Sequence, residues 1–148
     1  MEIINIRDFK IDDYSQIIDL WEKTDLGNPQ RGDNLEVIQK TISIGGKFLV
    51  LELEDSNQII GTSWLTNDGR RLYLHHFGIH PDYQGKKLSV PLLQASLEYA
   101  KEKELQIKLE VHKNNFKALN LYKKHSFKYL GDYEVYIIRD VNKIDVIR

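Results

Sequence analysis

Short apolar segments bounded by turn residues recur along the chain and predict β-strands. The residues Asp55-Ser56-Asn57 separate two of these segments and are typical of a hairpin, while Asn67-Asp68-Gly69 turns the chain into the next strand. Gly45-Gly46 ends the helical stretch that precedes the second strand. The predicted strands are residues 3–9, 47–54, 58–66, 72–79, 107–111, 127–130 and 134–139.

Apolar residues spaced three and four apart predict helices between these strands. Asp12 or Asp13 is the expected N-cap of the first helix, because short polar side chains accept hydrogen bonds from first-turn N–H groups. Asp33 or Asn34 has the same part in the second helix, and Ser89 in the third. The predicted helices cover residues 13–21, 35–44, 90–103 and 115–124.

The order of these elements is βααβββαβαββ, which predicts one mixed sheet with helices on both faces. This is an α/β (α+β) fold in which the sheet is mostly antiparallel. Residues 72–111 form a strand–helix–strand unit, which should be a right-handed parallel crossover. At 148 residues the chain is expected to be a single domain, 1–148.

Composition narrows the function classes. A formal net charge of −1 gives no overall attraction to nucleic acid or to an anionic membrane, so neither is expected as a partner. No apolar run approaches the roughly 20 residues that span a bilayer, and the N-terminus lacks the pattern of a signal peptide, so we expect a cytoplasmic protein. The chain has no cysteine, which excludes a cysteinyl intermediate and cysteine metal ligands. A monomer or a homodimer is expected.

The segment from His80 to Pro91 joins a predicted strand to a predicted helix and is the strongest candidate for a binding loop. First-turn N–H groups of a helix lack intrahelical partners, and the helix dipole is positive there, so such a loop can bind a phosphate or pyrophosphate. Lys86 and Lys87 add positive charge. An ordinary strand-to-helix turn with solvated lysines remains the alternative at this point.

Three motifs follow one another in the second half of the chain. They are Gln84-Gly85-Lys86-Lys87-Leu88-Ser89, Leu109-Glu110-Val111, and Asn115-Phe116-Lys117-Ala118-Leu119-Asn120-Leu121-Tyr122-Lys123-Lys124-His125-Ser126-Phe127. In these motifs and in its order of elements, nearly the whole chain resembles the GNAT superfamily of N-acetyltransferases. The spacing from Glu110 to Tyr122 is similar to that of ribosomal-protein alanine acetyltransferases.

The resemblance implies transfer of an acetyl group from acetyl-CoA, as co-substrate, to a primary amine by direct attack in a ternary complex, with no metal. It implies that Glu110 is the general base, that Tyr122 is the acid for the departing thiolate, and that Asn115 contacts the pantetheine arm. It places the pantetheine and thioester at Phe77, Gly78 and Ile79. The pyrophosphate is expected at Gln84, Gly85, Lys86, Lys87, Leu88, Ser89 and Val90.

Each of these roles has a structural alternative. Strand alternation would place Glu110 with Lys108 on a solvent-facing side, and Tyr122 at helical spacing would also suit a protein core. Asn115 would also serve as a helix cap, and Gly78 would indicate either a bulge or a packing adjustment. Lys87 and Ser89 occupy positions where the family has small residues. A catalytically silent CoA-binding regulatory module is therefore the alternative function.

Two further groups of residues are candidates for the acceptor side. His75 and His76 are adjacent on a predicted strand, where neighbouring side chains point to opposite faces, so they are a poor pair for chelating a metal. Either histidine is a candidate for the acceptor site or for an alternative base. The loop before the second helix, with Asn28, Arg31 and Asp33, is the candidate for acceptor specificity, because binding residues concentrate on loops.

Overall fold

One five-stranded sheet organises the computed structural model, which describes residues 2–27 and 31–147. The strands lie in the sheet in the order in which they occur along the chain. Neighbours are antiparallel except for the last two, which form the predicted parallel pair and are joined by a helical crossover. The strands are β1 (Ile4–Asp8), β2 (Lys47–Leu53), β3 (Ile59–Asn67), β4 (Arg71–Ile79) and β5 (Gln106–Leu109).

Helices cover the two faces of the sheet, as the α/β prediction requires. Side chains of β2 alternate between these faces: Phe48 and Val50 pack with the first two helices, while Leu49 and Leu51 belong to the cluster that includes Leu92 of the third. We call the two sides the α1/α2 face and the α3 face. The helices of the described residues are α1 (Tyr14–Thr24), α2 (Leu35–Ser43), α3 (Ser89–Lys103) and α4 (Phe116–Lys124).

Two tryptophans centre the core of the α1/α2 face. Trp21 of α1 stacks on Trp64 of β3 with ring centroids 6.0 Å apart, and both rings are buried. Each indole N–H donates a hydrogen bond, from Trp21 to the Thr62 hydroxyl at 3.0 Å and from Trp64 to the Thr41 hydroxyl at 2.9 Å. Because the polar tips are satisfied, burial of these large rings stabilises the position of α1 and α2 on the sheet at no cost in unpaired groups.

A buried ion cluster ties β1 to β2 and to the turn before α1. Both ends of the Arg7 guanidinium are used: it donates to the two carboxylate oxygens of Asp13 at 2.8 and 2.9 Å and to those of Glu52 at 3.0 and 3.1 Å. Burial alone would raise the pKa of Asp13, but the hydrogen bonds from Arg7 and the Lys10 N–H hold it below its ordinary value. Hydrogen bonds from Arg7 likewise lower the pKa of Glu52. The cluster therefore favours three charged side chains.

Capping follows the predictions at two helices and departs from them at two others. Asn34 and Asn115 accept hydrogen bonds from the N–H groups of Val37 and Ala118, as predicted. The Asp13 carboxylate makes no cap, because Arg7 and the Lys10 N–H already occupy it. The prediction that Ser89 caps α3 is wrong. Ser89 is the first helical residue, since the backbone is already helical at Leu88.

The chain divides into two compact units, Met1–Glu110 and Val111–Arg148. The first unit holds the sheet with α1, α2 and α3, and the second holds α4. Within the second unit, the ring of Tyr122 meets that of Phe127 edge-on at 5.4 Å. No helix among the described residues is long and apolar enough to cross a membrane.

The element order at the end of the chain differs from the prediction. Residues 127–130 and 134–139 form no strand, so the described order is βααβββαβα rather than βααβββαβαββ. Tyr129, Tyr136 and Ile137 in these segments are largely exposed. A strand exists only through hydrogen bonds to a neighbour, and no described residue pairs with either segment, so alternating apolar residues alone did not suffice.

Candidate active site

The pairing of β4 with β5 stops halfway along β4. The register runs from Arg71 opposite Gln106 to Leu74 opposite Leu109, whereas β4 continues to Ile79. The last part of β4 therefore keeps only β3 as a strand neighbour within the described residues. This leaves one backbone edge of Phe77, Gly78 and Ile79 without a β5 ladder, at the place where the sequence predicts the pantetheine and thioester.

A β-bulge lies in β4 just after the pairing with β5 ends. Thr62 faces Gly78 and Trp64 faces His75, so His76 and Phe77 together oppose Ser63 on β3. His76 takes a left-handed backbone conformation with φ of 47°, which is unusual for a residue with a side chain. A Cβ at Gly78 would lie 2.6 Å from Cδ1 of Leu26. Packing against Leu26 therefore explains Gly78, and the bulge itself is formed by the two residues before it.

The bulge brings both histidines to the α1/α2 face. The rings of His75 and His76 both approach Trp64, with centroid distances of 6.0 and 5.3 Å. The expectation that neighbouring side chains point to opposite faces is wrong here, because the extra residue reverses the alternation. Nε2 of His76 lies 3.0 Å from the Asp33 carboxylate. Among the described residues, no group of three or more His, Asp and Glu side chains is arranged to hold a metal ion.

Glu110 directly follows β5 and accepts a hydrogen bond from the hydroxyl of Tyr73 on β4. Tyr73 pairs with Lys108, so Lys108 and Glu110 share the face on which Tyr73 lies. Glu110 is exposed, as strand alternation predicts. The hydrogen bond from Tyr73 orients its carboxylate. Burial, followed by the bond to Glu110, raises the pKa of Tyr73, so its hydroxyl keeps its proton and donates.

A short polar chain continues from Tyr73 into the sheet. Its ring stacks on His75 with centroids 4.5 Å apart, and Nε2 of His75 lies 2.9 Å from the Thr66 hydroxyl. Burial, reinforced by the neighbouring His76, lowers the pKa of His75 to about 4. His75 is therefore uncharged at neutral pH, and its neutral ring packs between Tyr73 and Trp64.

The loop between β4 and α3 presents free backbone donors. No hydrogen bond within the described residues uses the N–H groups of Gly85, Lys86, Lys87 or Leu88. The loop is tied to the end of β4 by the Gln84 side chain, whose amide donates to the Ile79 carbonyl at 2.9 Å. Gly85 has φ of 80° and faces open space. Four unused amides before the N-terminus of a helix of 15 residues form an arrangement suited to an anion.

In the second unit, Tyr122 lies on α4 and is buried, and burial raises its pKa to about 12. The hydroxyl is thus fully protonated at neutral pH. Asn115 caps α4 through its side chain. These two residues occupy the elements that the sequence assigned to them. Their roles toward a ligand remain predictions.

The chain matches the sequence model of the acetyltransferase (GNAT) family over residues 14–127. It belongs to this family. The protein is therefore an acetyltransferase, and the acetyl donor of the family is acetyl-CoA. An acetyltransferase of Sodalis glossinidius (strain morsitans) is 28% identical over 131 residues, which cover 84% of this chain and 87% of that protein.

Solved structures share the fold at low sequence identity. An acetyltransferase from Streptococcus agalactiae has a TM-score of 0.76 at 19% identity and covers 93% of this chain and 92% of its own. A predicted acetyltransferase from Clostridium acetobutylicum, solved with acetyl-CoA, has a TM-score of 0.69 at 18% identity, covering 91% of this chain and 96% of its own. At these identities the likeness concerns the fold alone.

The amino-acid sequence of this acetyltransferase does not indicate the partner of Glu110. In the sequence, Tyr73 is an aromatic residue typical of any strand. Its hydroxyl reaches the Glu110 carboxylate only because of the register between β4 and β5. Of the loop residues proposed for specificity, Asp33 contacts His76 and Arg31 is exposed. Asn28 lies outside the described residues.

Lys87 supplies a test of the binding loop of the acetyltransferase. Its φ of 61° places it in the left-handed region, which costs a residue with a side chain about 1–2 kcal/mol, while glycine loses about 0.5–1 kcal/mol of chain entropy. Since Lys87 is exposed, we expect Lys87→Gly to leave the free energy of unfolding unchanged or to raise it by up to about 1 kcal/mol. Urea denaturation measures this difference.

The matched control is Lys86→Gly. Lys86 has no positive φ, and its ammonium lies 5.2 Å from the centre of the Tyr83 ring, so the same change should lower stability. If Lys87→Gly is as destabilising as Lys86→Gly, the left-handed turn at Lys87 is not the conformation of the loop in solution.

Proposed function

We propose that this acetyltransferase moves the acetyl group of acetyl-CoA to a primary amine by direct attack within a ternary complex. The observation that carries the proposal is the Glu110 carboxylate. Tyr73 holds it at the end of β5, where β4 and β5 stop pairing. The chain has no cysteine to form an acyl-enzyme, which favours direct attack.

Glu110 is assigned the part of the general base. An alkylamine is mostly protonated at neutral pH and must lose a proton before its nitrogen can form a bond to the acetyl carbon. Glu110 takes that proton, directly or through a water molecule. Because the carboxylate is exposed, it can return the proton to solvent after each turnover.

The backbone of β4 and the hydroxyl of Tyr122 are assigned to the thioester. An oxyanion develops on the thioester oxygen during attack, and N–H groups of Phe77, Gly78 and Ile79 are the candidates to stabilise it. The C–N bond forms and the C–S bond breaks. Tyr122, which keeps its proton at neutral pH, donates a hydrogen bond to the departing sulfur and passes on the proton as CoA leaves.

The loop from Gln84 to Val90 fits the pyrophosphate of CoA. Its unused N–H groups supply donors without a side chain, and Lys86 and Lys87 supply charge. Lys87 adopts the left-handed backbone that a glycine would provide at this position, so its side chain is no obstacle to the turn. These are the residues that would hold the co-substrate.

Isothermal titration with acetyl-CoA and with CoA, followed by a thiol-release assay on a panel of amines, tests the proposal. We expect micromolar binding that weakens when Lys86 and Lys87 are both changed to glutamate, together with acetyl transfer to at least one amine. Binding without transfer to any amine would favour the catalytically silent regulatory module. Absence of binding at millimolar ligand would overturn the proposed site.

Tyr122→Phe tests the assigned acid. We expect kcat to fall about 10- to 100-fold while the dissociation constant of acetyl-CoA changes less than about twofold, because the departing sulfur loses its assigned donor. Tyr99→Phe is the control, since the Tyr99 hydroxyl donates to the Gly45 carbonyl at 2.8 Å and has no assigned part in the reaction. An unchanged kcat for Tyr122→Phe would remove the residue from the mechanism.

A further inference from the structure

A small cavity lies beside Tyr73 in the first unit, at the ends of β3, β4 and β5. Its volume is about 210 Å³, below the range of about 300–1,000 Å³ that is common for drug-sized ligands, so it suits one small group. The sequence gives no motif for it, because its residues come from three strands and a turn. Besides the ring of His75, the polar residues that line it are Thr66, Asp68, Arg70, Arg71, Tyr73 and Lys108.

The cavity carries an excess of positive charge. Arg70, Arg71 and Lys108 face a single carboxylate, Asp68, and no ion pair within the described residues involves any of the three cations. Asp68 already accepts hydrogen bonds from the N–H groups of Arg70 and Arg71 at 2.8 and 2.7 Å, and these lower its pKa. One guanidinium N–H of Arg71 donates to Gln106 at 3.0 Å, which leaves its other donors available.

Tyr73 connects this cavity to the assigned base. Its ring lines the cavity, and its hydroxyl donates to Glu110. Arg71 precedes Tyr73 by two residues on β4, and Lys108 precedes Glu110 by two residues, so the cationic groups begin about 7 Å along the strands from the carboxylate. If the amine nitrogen of an acceptor contacts Glu110, the opposite end of a short acceptor molecule can therefore lie in the cavity.

We infer that the cavity binds an anionic group of the acceptor, and that the substrate is a primary amine with a carboxylate or phosphate about 7 Å from its nitrogen. The inference rests on the proposed function and specifies its substrate class. Guanidinium groups match both anions through paired N–H donors, and Lys108 adds a point charge. The same charges would steer such an acceptor toward Glu110.

Matched acceptors provide the test. The probes are ω-amino carboxylates of increasing chain length, ω-aminoalkyl phosphates, and 1-alkylamines of equal length as neutral counterparts. The readout is the ratio of kcat/KM between an anionic acceptor and its neutral counterpart. We expect a ratio of about 10 or more for the wild type, with a maximum at one chain length, and the carboxylate and phosphate series distinguish the two anions.

Charge reversal identifies the residues responsible. In the double variant Arg70→Glu/Lys108→Glu the ratio should fall about tenfold or more, because attraction becomes repulsion at two positions. Lys101→Glu is the control. It makes the same kind of charge change on an exposed position of α3, away from the cavity, and should keep the ratio of the wild type.

The outcomes separate this inference from the proposed function. Acetyl transfer to neutral and anionic amines at equal efficiency, or a ratio that the double variant does not alter, would overturn the inference alone. A rise in the KM of acetyl-CoA instead would assign the cations to CoA. If no probe is acetylated, the inference is tested by titrating N-acetylated ω-amino carboxylates and phosphates into the wild type and the double variant, each in the presence of CoA. Binding to the wild type that is lost in the double variant would support an anion site in the cavity. No binding to the wild type, or equal binding to both proteins, would overturn the inference.

Discussion

Replacement of Arg7 by alanine is expected to lower the free energy of unfolding by about 3–5 kcal/mol. Arg7 is the common partner of Asp13 and Glu52, whose side chains are only 8% and 9% exposed. Without the guanidinium, the buried carboxylates of Asp13 and Glu52 would lose their shared counter-charge and keep only the Lys10 N–H and the Asn5 amide as donors. This is a large fraction of the stability of a domain of this size.

The loss should depend on pH. The pKa values of Asp13 and Glu52 are lowered in the folded protein, so the unfolded state binds more protons in the acid range. Their contribution is fully present above the ordinary carboxyl pKa of about 4, and it is lost as pH falls through the folded-state values. The stabilities of wild type and Arg7→Ala should therefore converge as pH falls below the ordinary carboxyl value and through the lowered folded-state pKa values of Asp13 and Glu52.

Urea denaturation of both proteins across this pH range is the measurement. Lys47→Ala is the matched control, because Lys47 pairs at 3.0 Å with the exposed carboxylate of Asp8, and such a pair should contribute less than about 1 kcal/mol. In Arg7→Met/Asp13→Asn/Glu52→Gln, which removes all three charges, part of the stability should return. Equal effects of Arg7→Ala and Lys47→Ala would mean that the buried cluster does not form in solution.

Glu110→Gln should reduce kcat about 100-fold or more at neutral pH, because general bases typically contribute factors of about 10² to 10⁴. The glutamine carbonyl can still accept the hydrogen bond from Tyr73, so geometry is kept while the proton acceptor is lost. Glu98→Gln, which changes an exposed carboxylate on α3, should leave kcat unchanged. Steady-state kinetics with an accepted amine measures both variants.

The pH–rate profile identifies the base. In Glu110→Gln the acid limb caused by the carboxylate should disappear, and the remaining rise of kcat/KM with pH should follow only the deprotonation of the free amine at higher pH. His75, whose pKa burial lowers to about 4, is the rival source of an acid limb. If the acid limb of kcat/KM persists in Glu110→Gln but is lost in His75→Gln, His75 and not Glu110 is the general base.

Local sequence was sufficient to predict the five strands of the sheet and the four α-helices of the described residues. Alternation along β2 and β3, the turn residues between them and the asparagines before α2 and α4 act over a few residues, so they can be recognised without a partner. The segments 127–130 and 134–139 show the limit of this reasoning. Their apolar residues have the right spacing, but pairing is a property of two segments and cannot be inferred from one.

The candidate site was predictable where a motif is contiguous. The loop from Gln84 to Ser89, Glu110 and Tyr122 all follow from such motifs. The extra residue at His76 depends on the register between β3 and β4. The hydroxyl of Tyr73 beside Glu110 and the cations of the cavity depend on the register between β4 and β5, which joins residues about 35 positions apart. Register is fixed by the whole sheet, so these features became visible only in the folded structure.

Every strand of the sheet is encoded before residue 111, and the order of strands in space repeats their order in the chain. During synthesis each new strand can therefore pair with the one that left the ribosome just before it, and no strand has to wait for a distant segment. Glu110 is the final residue of that unit. The nascent protein can thus complete its sheet first, and α4, which carries the proposed acid Tyr122, follows later in translation.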